Sequence, residues 1–326
     1  MIAPLIAAFV AAMVCCKILI FRAAHLFVDE PNERSLHSVP TPRFGGIGIL
    51  VGILVGWLLV VSQKGMVNEV IFIGAGVILI SSISLFDDFF RLSQASRFLV
   101  HFCASALMAG GLVYGVAGWG WLVFYTIGTI WMINLYNFMD GMDGFSGGMA
   151  FAGFLSLGLA GYFKDVLVFS SLNVIVAAAA AGFLVFNLPP ARIFMGDAGS
   201  ATLGFLAAGF SVWGIRDQVF PLWFPFLVFS PFIVDASVTI LRRLFNREKI
   251  WLPHRKHFYQ RLVLNGWSHR KTVIVEYFLM LACSASAFLI DKHDFAIPGL
   301  PVWLAVYIIL GILVERKVRA RAPFSS

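Results

Sequence analysis

The chain has 326 residues, of which 60% are hydrophobic and only 13% charged, with a formal net charge of +7. A soluble domain carries about 25% charged residues, so this composition excludes an ordinary water-soluble globule. The four cysteines do not form a disulfide framework. Cys15 and Cys16 are adjacent, Cys103 and Cys283 lie in apolar runs, and all four read as small buried apolar groups. No CxxC or CxxH spacing suggests zinc.

A helix needs about 20 apolar residues to cross a bilayer. Runs of this kind predict eleven spans, near 2–21, 45–62, 69–86, 97–115, 119–137, 147–163, 166–186, 199–215, 219–240, 272–290 and 298–315. The expected fold is therefore an all-α integral membrane protein, read as one polytopic domain over residues 1–326. Eleven spans put the termini on opposite sides. Of the 24 Lys and Arg residues, 19 fall in one alternate set of connections. The other set holds Lys64, Lys164, Arg216 and Lys292, and Lys17 lies inside the first span, where it can snorkel. The positive-inside rule then places the N-terminus outside and the C-terminus in the cytoplasm. The cytoplasmic loops fall at about 22–44, 87–97, 137–147, 187–198 and 241–271. A lipid-facing cytoplasmic rim accounts for the basic surplus without a nucleic-acid partner.

The outer connections, such as SQKGMVNE and GIRDQ, are short and plain, whereas the inner ones hold the unusual polar residues. That asymmetry predicts an active site at the cytoplasmic face, open to water and to lipid. Asp87 and Asp88 end the third span in ISSISLFDD. Carboxylates at a helix C-terminus oppose the macrodipole and repel each other, and a nearby cation would relieve both costs. In NLYNFMDGMDG, residues Asn134, Asn137, Asp140 and Asp143 recur at steps of three, and Gly141 and Gly144 argue against regular helix beyond Asp140. Carboxylate and carboxamide oxygens of this kind suit Mg²⁺.

In NLPPARIFMGDAGS, Asn187 closes a span, two prolines break it, and Asp197 precedes the next. Taken alone, Asp197 reads as a helix cap, while the small residues around it would admit a phosphate to a helix N-terminus. Phe194 is either core or a plate for a stacked base. The last inner loop carries His254, Arg255, Lys256, His257, Arg261, His269, Arg270 and Lys271. It reads as a loop held at anionic lipid or as an anion clamp. Asp235, seven residues before Arg242, is open between an ion pair with that arginine and a functional role. His101 reads as a satisfied polar residue within a span.

Together these stretches resemble the polyprenyl-phosphate N-acetylhexosamine-1-phosphate transferases, glycosyltransferase family 4, from about Asp29 to Lys271. DEPNERSLHSVPTPRFGG is similar to the family's first cytoplasmic loop, Asp87-Asp88 to its paired aspartates, NLYNFMDGMDG to its central Asn/Asp motif, NLPPARIFMGDAGS to its metal-binding aspartate motif and PHRKHF to its basic-histidine loop. The resemblance implies transfer of a phosphosugar from a UDP-N-acetylhexosamine to undecaprenyl phosphate in a bacterial inner membrane, with Mg²⁺ (or Mn²⁺) as cofactor and a homodimer as an allowed assembly. It implies catalytic roles for Asp87, Asp88 and Asp197, with the paired aspartates at the lipid phosphate. Asn137 and Asp197 would hold the metal. Asp140, Asp143, Asn187 and Phe194 would form the nucleotide pocket, and His254, Arg255 and His257 would contact diphosphate or sugar. The spaced histidines, His254-Arg-Lys-His257, differ from the consecutive histidines of the muramoyl-pentapeptide branch. The pattern is closer to the bacterial branch that starts O-antigen or related surface glycans. A polytopic transporter is the rival from another class, and the identity of the sugar stays open.

Overall fold

A computed structural model describes residues 2–22, 28–29, 40–90, 92–116, 118–249, 252 and 254–321. Residues 30–39 of the first predicted loop lie outside the described residues. In chain order the elements are α1 (Ile2–Arg22), β1 (Val28–Asp29), β2 (Thr41–Pro42), α2 (Gly45–Lys64), α3 (Asn68–Phe90), α4 (Gln94–Val113), α5 (Trp119–Phe138), α6 (Phe145–Phe163), α7 (Leu167–Asn187), α8 (Asp197–Arg216), α9 (Trp223–Val228), α10 (Ser230–Phe245), α11 (Phe258–Leu264), α12 (His269–His293) and α13 (Ala296–Arg321). The fold is helical as expected, with one addition: β1 and β2 pair antiparallel as a minimal ribbon.

Among the described residues nine helices are long and apolar enough to cross a membrane. The two predicted spans that do not join them fail for different reasons. Helix α5 has the length, but three tryptophans, two tyrosines and two asparagines lower its mean hydropathy. The run at 219–240 is not one helix. Pro225 falls in the first turn of α9 and Pro231 in the first turn of α10, with Phe229 between them. Proline has no N–H to donate and is tolerated in a helix's first turn, so each one opens a new helix.

Helix α8 forms the centre, buried along most of its length and packed by α2, α3, α4, α5 and α6. Around it, α1, α2, α6 and α7 form a second closely packed group. Gly48, Gly52 and Gly56 make a small-residue stripe on α2. A Cβ at Gly52 would meet Ala8 O at 2.6 Å and Ala179 Cβ at 2.9 Å, so the stripe sets the approach of α1 and α7. At the C-terminal end of α8, Arg216 pairs with Glu69 (2.6 Å) and Asp217 (2.7 Å) and donates to the carbonyl of Leu112 (3.1 Å). This pins α3, α4 and α8 together at the end opposite Asp87 and Asp197. Cys16 and Cys283 are buried and Cys15 half-buried, but Cys103 is exposed, against expectation. It sits on an outward flank of α4, where Phe98, Leu99, Phe102 and Leu107 are also exposed.

Candidate active site

The C-terminal ends of α3 and α5, the N-terminal ends of α4 and α8, and the loop before α11 surround a cleft of about 570 Å³. Its walls include Asp87, Arg97, His101, Asn134, Asn137, Asp197, His254 and His257. Five of the residues to which the resemblance gives site roles thus share one space: Asp87, Asn137, Asp197, His254 and His257.

The paired aspartates are each matched by an arginine. Asp87 Oδ2 lies 2.8 Å from Arg97 Nη1, and its Oδ1 accepts the backbone N–H of Leu92 at 2.7 Å. Asp88 Oδ1 accepts from Arg43 Nη2 at 2.6 Å. The cation expected from the sequence is therefore supplied twice by the protein. Arg97 also reaches within 3.9 Å of Asp197, whose side chain is 43% exposed. Asp197 is the first residue of α8 rather than its cap, which is Gly196 with φ +72°. That backbone suits glycine and leaves the Asp197 carboxylate free for the cleft.

A backbone clasp holds the first loop against the Asp197 loop. Phe194 N–H donates to Pro42 O (2.7 Å), Gly45 N–H to Phe194 O (2.8 Å) and Gly46 N–H to Met195 O (2.8 Å). Gly46 permits this approach, because a Cβ there would stand 2.4 Å from Gly199. Arg43, Asp88 and Asp197 come together through this clasp.

The NLYNFMDGMDG segment divides as its glycines predict. Asn134 and Asn137 lie on α5, and residues 139–144 form a turn that ends at Gly144 with φ +74°. Asp140 sits in that turn. Burial, reinforced by the charge of Asp197, pushes its carboxyl well above the ordinary carboxylate range. Asp143 Oδ2 accepts the N–H of Ala191 at 3.1 Å, and its Oδ1 lies 3.6 Å from His269 Nδ1. Asn187 ties the same region together, accepting from Gly144 N–H (2.9 Å) and donating to Ile193 O (2.8 Å). Asp88, Asp140, Asp143, Asn187 and Phe194 do not line the cleft itself. Asp143, Asn187 and His269 belong to an adjoining polar region beside the proline loop.

The basic-histidine loop is docked by α11. Buried Tyr259 donates to Phe138 O (3.4 Å), and Gly141 makes room for its hydroxyl. His257 Nδ1 lies 3.1 Å from Asp235 Oδ1, and its ring centroid is 4.8 Å from that of His254. His254 Nδ1 accepts the backbone N–H of Lys256 at 3.2 Å. Burial, with the positive neighbours Arg243 and Lys256, lowers its pKa to about 4. Arg255 is half-buried and does not line the cleft. The alternative of an Asp235–Arg242 ion pair does not occur. Arg242 and Arg261 both bind Glu315 of α13.

Among the described residues, no three His, Cys, Asp or Glu side chains gather as a closed metal cage. The oxygen donors nonetheless fit Mg²⁺, which keeps several waters and takes one or two carboxylates plus substrate phosphates. Asp197 is half-open, Asn137 faces the same cleft, and Asp88 Oδ2 is buried without a hydrogen-bond partner among the described residues. Sequence reasoning did not assign Arg43, Arg97, His101 or Asp235 to the site. Arg97 carried a usable signal, since it closes the DDFFRLSQASR loop that begins with Asp87.

Residues 70–215 match the family model for glycosyl transferase family 4. The chain is 30% identical over 334 residues to the decaprenyl-phosphate N-acetylglucosaminephosphotransferase of Mycobacterium tuberculosis, covering 87% of this chain and 80% of the relative. The chain belongs to this family of polyprenyl-phosphate N-acetylhexosamine-1-phosphate transferases. A probable undecaprenyl-phosphate N-acetylglucosaminyl 1-phosphate transferase of Bacillus subtilis is 29% identical over 312 residues, 90% of this chain and 83% of that protein. A phospho-N-acetylmuramoyl-pentapeptide-transferase of Staphylococcus saprophyticus is 28% identical over 257 residues, 77% of this chain and 74% of that protein. The family model spans Asp87 to Asp197 and stops before Asp235 and the histidine loop, which the longer similarities to whole relatives reach.

Proposed function

We propose that the protein transfers an N-acetylhexosamine-1-phosphate from a UDP-sugar to undecaprenyl phosphate, releasing UMP. It would do so at the cytoplasmic face of a bacterial inner membrane, as the first membrane step of O-antigen or related surface-glycan synthesis. The observation that carries the reading is the shared cleft, where carboxylates, Arg97 and histidines meet at the ends of apolar helices. One substrate is a lipid and the other dissolves in water, so such a site belongs at a membrane rim. Counting α5 and the α9–α10 pair as crossings gives eleven spans, with the basic connections inside.

Two anions must meet, and the protein offers fixed positive charge to both. Arg97 and Arg43, already anchored by Asp87 and Asp88, would meet the lipid phosphate. Asp197 and Asn137 would hold Mg²⁺, which when bound supplies charge neutralisation at the diphosphate. His254, neutral at pH 7, offers hydrogen bonds rather than charge. Asp143, Asn187 and Phe194 would form the nucleotide side, and Arg255 would reach the diphosphate from the rim of the loop. A phosphomonoester has a second pKa near 6 and is largely ionised at pH 7, so its oxygen needs little activation. A single direct displacement is the simpler course. Trapping of labelled sugar-phosphate on the protein, without lipid acceptor, would instead support an aspartyl intermediate.

The test is UMP release by the purified protein with undecaprenyl phosphate, Mg²⁺ and a panel of UDP-N-acetyl sugars. Similarity to the staphylococcal pentapeptide transferase places UDP-N-acetylmuramoyl-pentapeptide in that panel. Release that needs lipid, metal and Asp197 supports the transferase, and the best donor names the sugar. Folded protein that releases no UMP with any donor overturns it.

A further inference from the structure

Asp235 is a carboxylate only 7% exposed, carried on α10, outside the stretch matched by the family model. Buried carboxylates are costly unless their lone pairs are used. Here four groups use them. Oδ1 faces His257 Nδ1 (3.1 Å) and accepts from Phe258 N–H (2.9 Å) and Thr239 Oγ1 (3.2 Å), while Oδ2 accepts from Tyr259 N–H (3.2 Å). The His257 ring is itself fixed, 2% exposed and stacked near Phe138 and Tyr259.

A carboxylate accepts only, so the proton of the His257 pair sits on Nδ1. The ring lines the cleft, and Nε2 has no protein partner among the described residues. His254 is set the opposite way. Its Nδ1 accepts a backbone N–H, so its proton sits on Nε2.

We propose that Asp235 is a positioning residue for the transfer reaction, holding His257 in the Nδ1–H tautomer opposite to that of His254. The cleft then receives two adjacent imidazoles of complementary character. His254 presents an N–H donor suited to a diphosphate oxygen. His257 presents an open Nε2 that accepts from a hydroxyl or acetamide N–H of the sugar. The pair discriminates a hydroxylated sugar-phosphate from a bare nucleoside diphosphate, and this role rests on the transferase reading above.

The experiment is two-bond ¹H–¹⁵N spectroscopy of full-length protein labelled at histidine nitrogen, in nanodiscs at about pH 8, where ordinary imidazoles are neutral. His254→Gln and His257→Gln assign the two rings. The native spectrum is expected to show His257 protonated on Nδ1 and His254 on Nε2. Asp235→Asn, whose amide can donate to Nδ1, is expected to move the His257 proton to Nε2. It should also lower kcat by about 10–100-fold, the usual loss when an orienting partner is removed, with a smaller change in KM for the UDP-sugar. Asp235→Glu should restore part of both. A native spectrum with His257 protonated on Nε2 overturns the proposal without any variant. So does an Asp235→Asn protein with unchanged His257 tautomer and kcat within twofold. A native protein that shows the tautomer pair but releases no UMP supports the positioning and overturns the transferase reading instead.

Discussion

Arg97 Nη1 lies 2.8 Å from Asp87 Oδ2 and extends the same guanidinium to within 3.9 Å of Asp197. One side chain thus links the aspartate pair that ends α3 to the aspartate that begins α8. Arg97→Met leaves two carboxylates facing each other across the cleft with no fixed cation. The expected result is a fall in kcat/KM of about 10–100-fold, as for loss of an orienting partner in a charged site. Arg97→Lys should recover only part, because a compact, flexible ammonium does not reproduce the rigid planar guanidinium whose Nη1 faces both carboxylates. UMP release measured against lipid phosphate concentration checks this. Equal activity in all three proteins would remove Arg97 from the site.

Asp197→Asn keeps the shape of the residue and removes its charge. Turnover should fall by at least about 100-fold if several kcal/mol of charge stabilisation is lost. Binding of Mn²⁺, followed by electron paramagnetic resonance without any substrate, should weaken in parallel. Unchanged Mn²⁺ affinity would move the metal away from Asp197.

His254 gives a pH prediction. Its pKa in the folded protein is about 4, below the ordinary value near 6.5, because burial and positive neighbours disfavour the charged ring. Between these two values the unfolded chain binds more protons than the folded one, so stability rises with pH across that window and falls on acidification. Thermal unfolding in detergent should therefore occur at lower temperature at pH 5 than at pH 7, and His254→Gln should narrow the gap. An identical gap in native and variant protein would contradict this origin.

Close approach of α2 to α8 predicts that Gly46→Ala is destabilising. The new Cβ meets Gly199 Cα and N at 2.4 Å, and both atoms are backbone that cannot rotate away. The cost should be about 1–3 kcal/mol, typical of overpacking. Gly74→Ala on α3 serves as the control, since nothing lies within 4 Å of its Cβ. A Gly46→Ala melting temperature equal to that of the control would refute the claim.

Much of this architecture was legible because lipid imposes a simple code. Length and apolarity located α1, α2, α3 and α4 within a few residues, and the cost of carboxylates near hydrocarbon drew attention to Asp87, Asp88 and Asp140. What could not be read were partners distant in sequence. Arg43 and Asp88 are 45 positions apart, and Asp235 and His257 are 22 apart. No helical periodicity links such pairs, so the sequence leaves Asp235 open between an ion pair with Arg242 on its own helix and a functional role. The break near Phe229 was missed for a different reason. Pro225 and Pro231 sit in an apolar run whose average conceals where a helix ends. Cys103 was misjudged because in a bilayer an apolar run does not distinguish the lipid-facing flank from the interior.

The pairing of Pro42, Gly45 and Gly46 with Phe194 and Met195 has a consequence for biogenesis. Its two halves are separated by five complete helices, α3 to α7, so a nascent chain holds the first half long before the second is synthesised. Arg43 cannot take its place beside Asp88 and Asp197 until α8 has emerged from the ribosome and inserted. Chains truncated anywhere before Phe194 are therefore born without the clasp that closes the first loop onto the Asp197 loop.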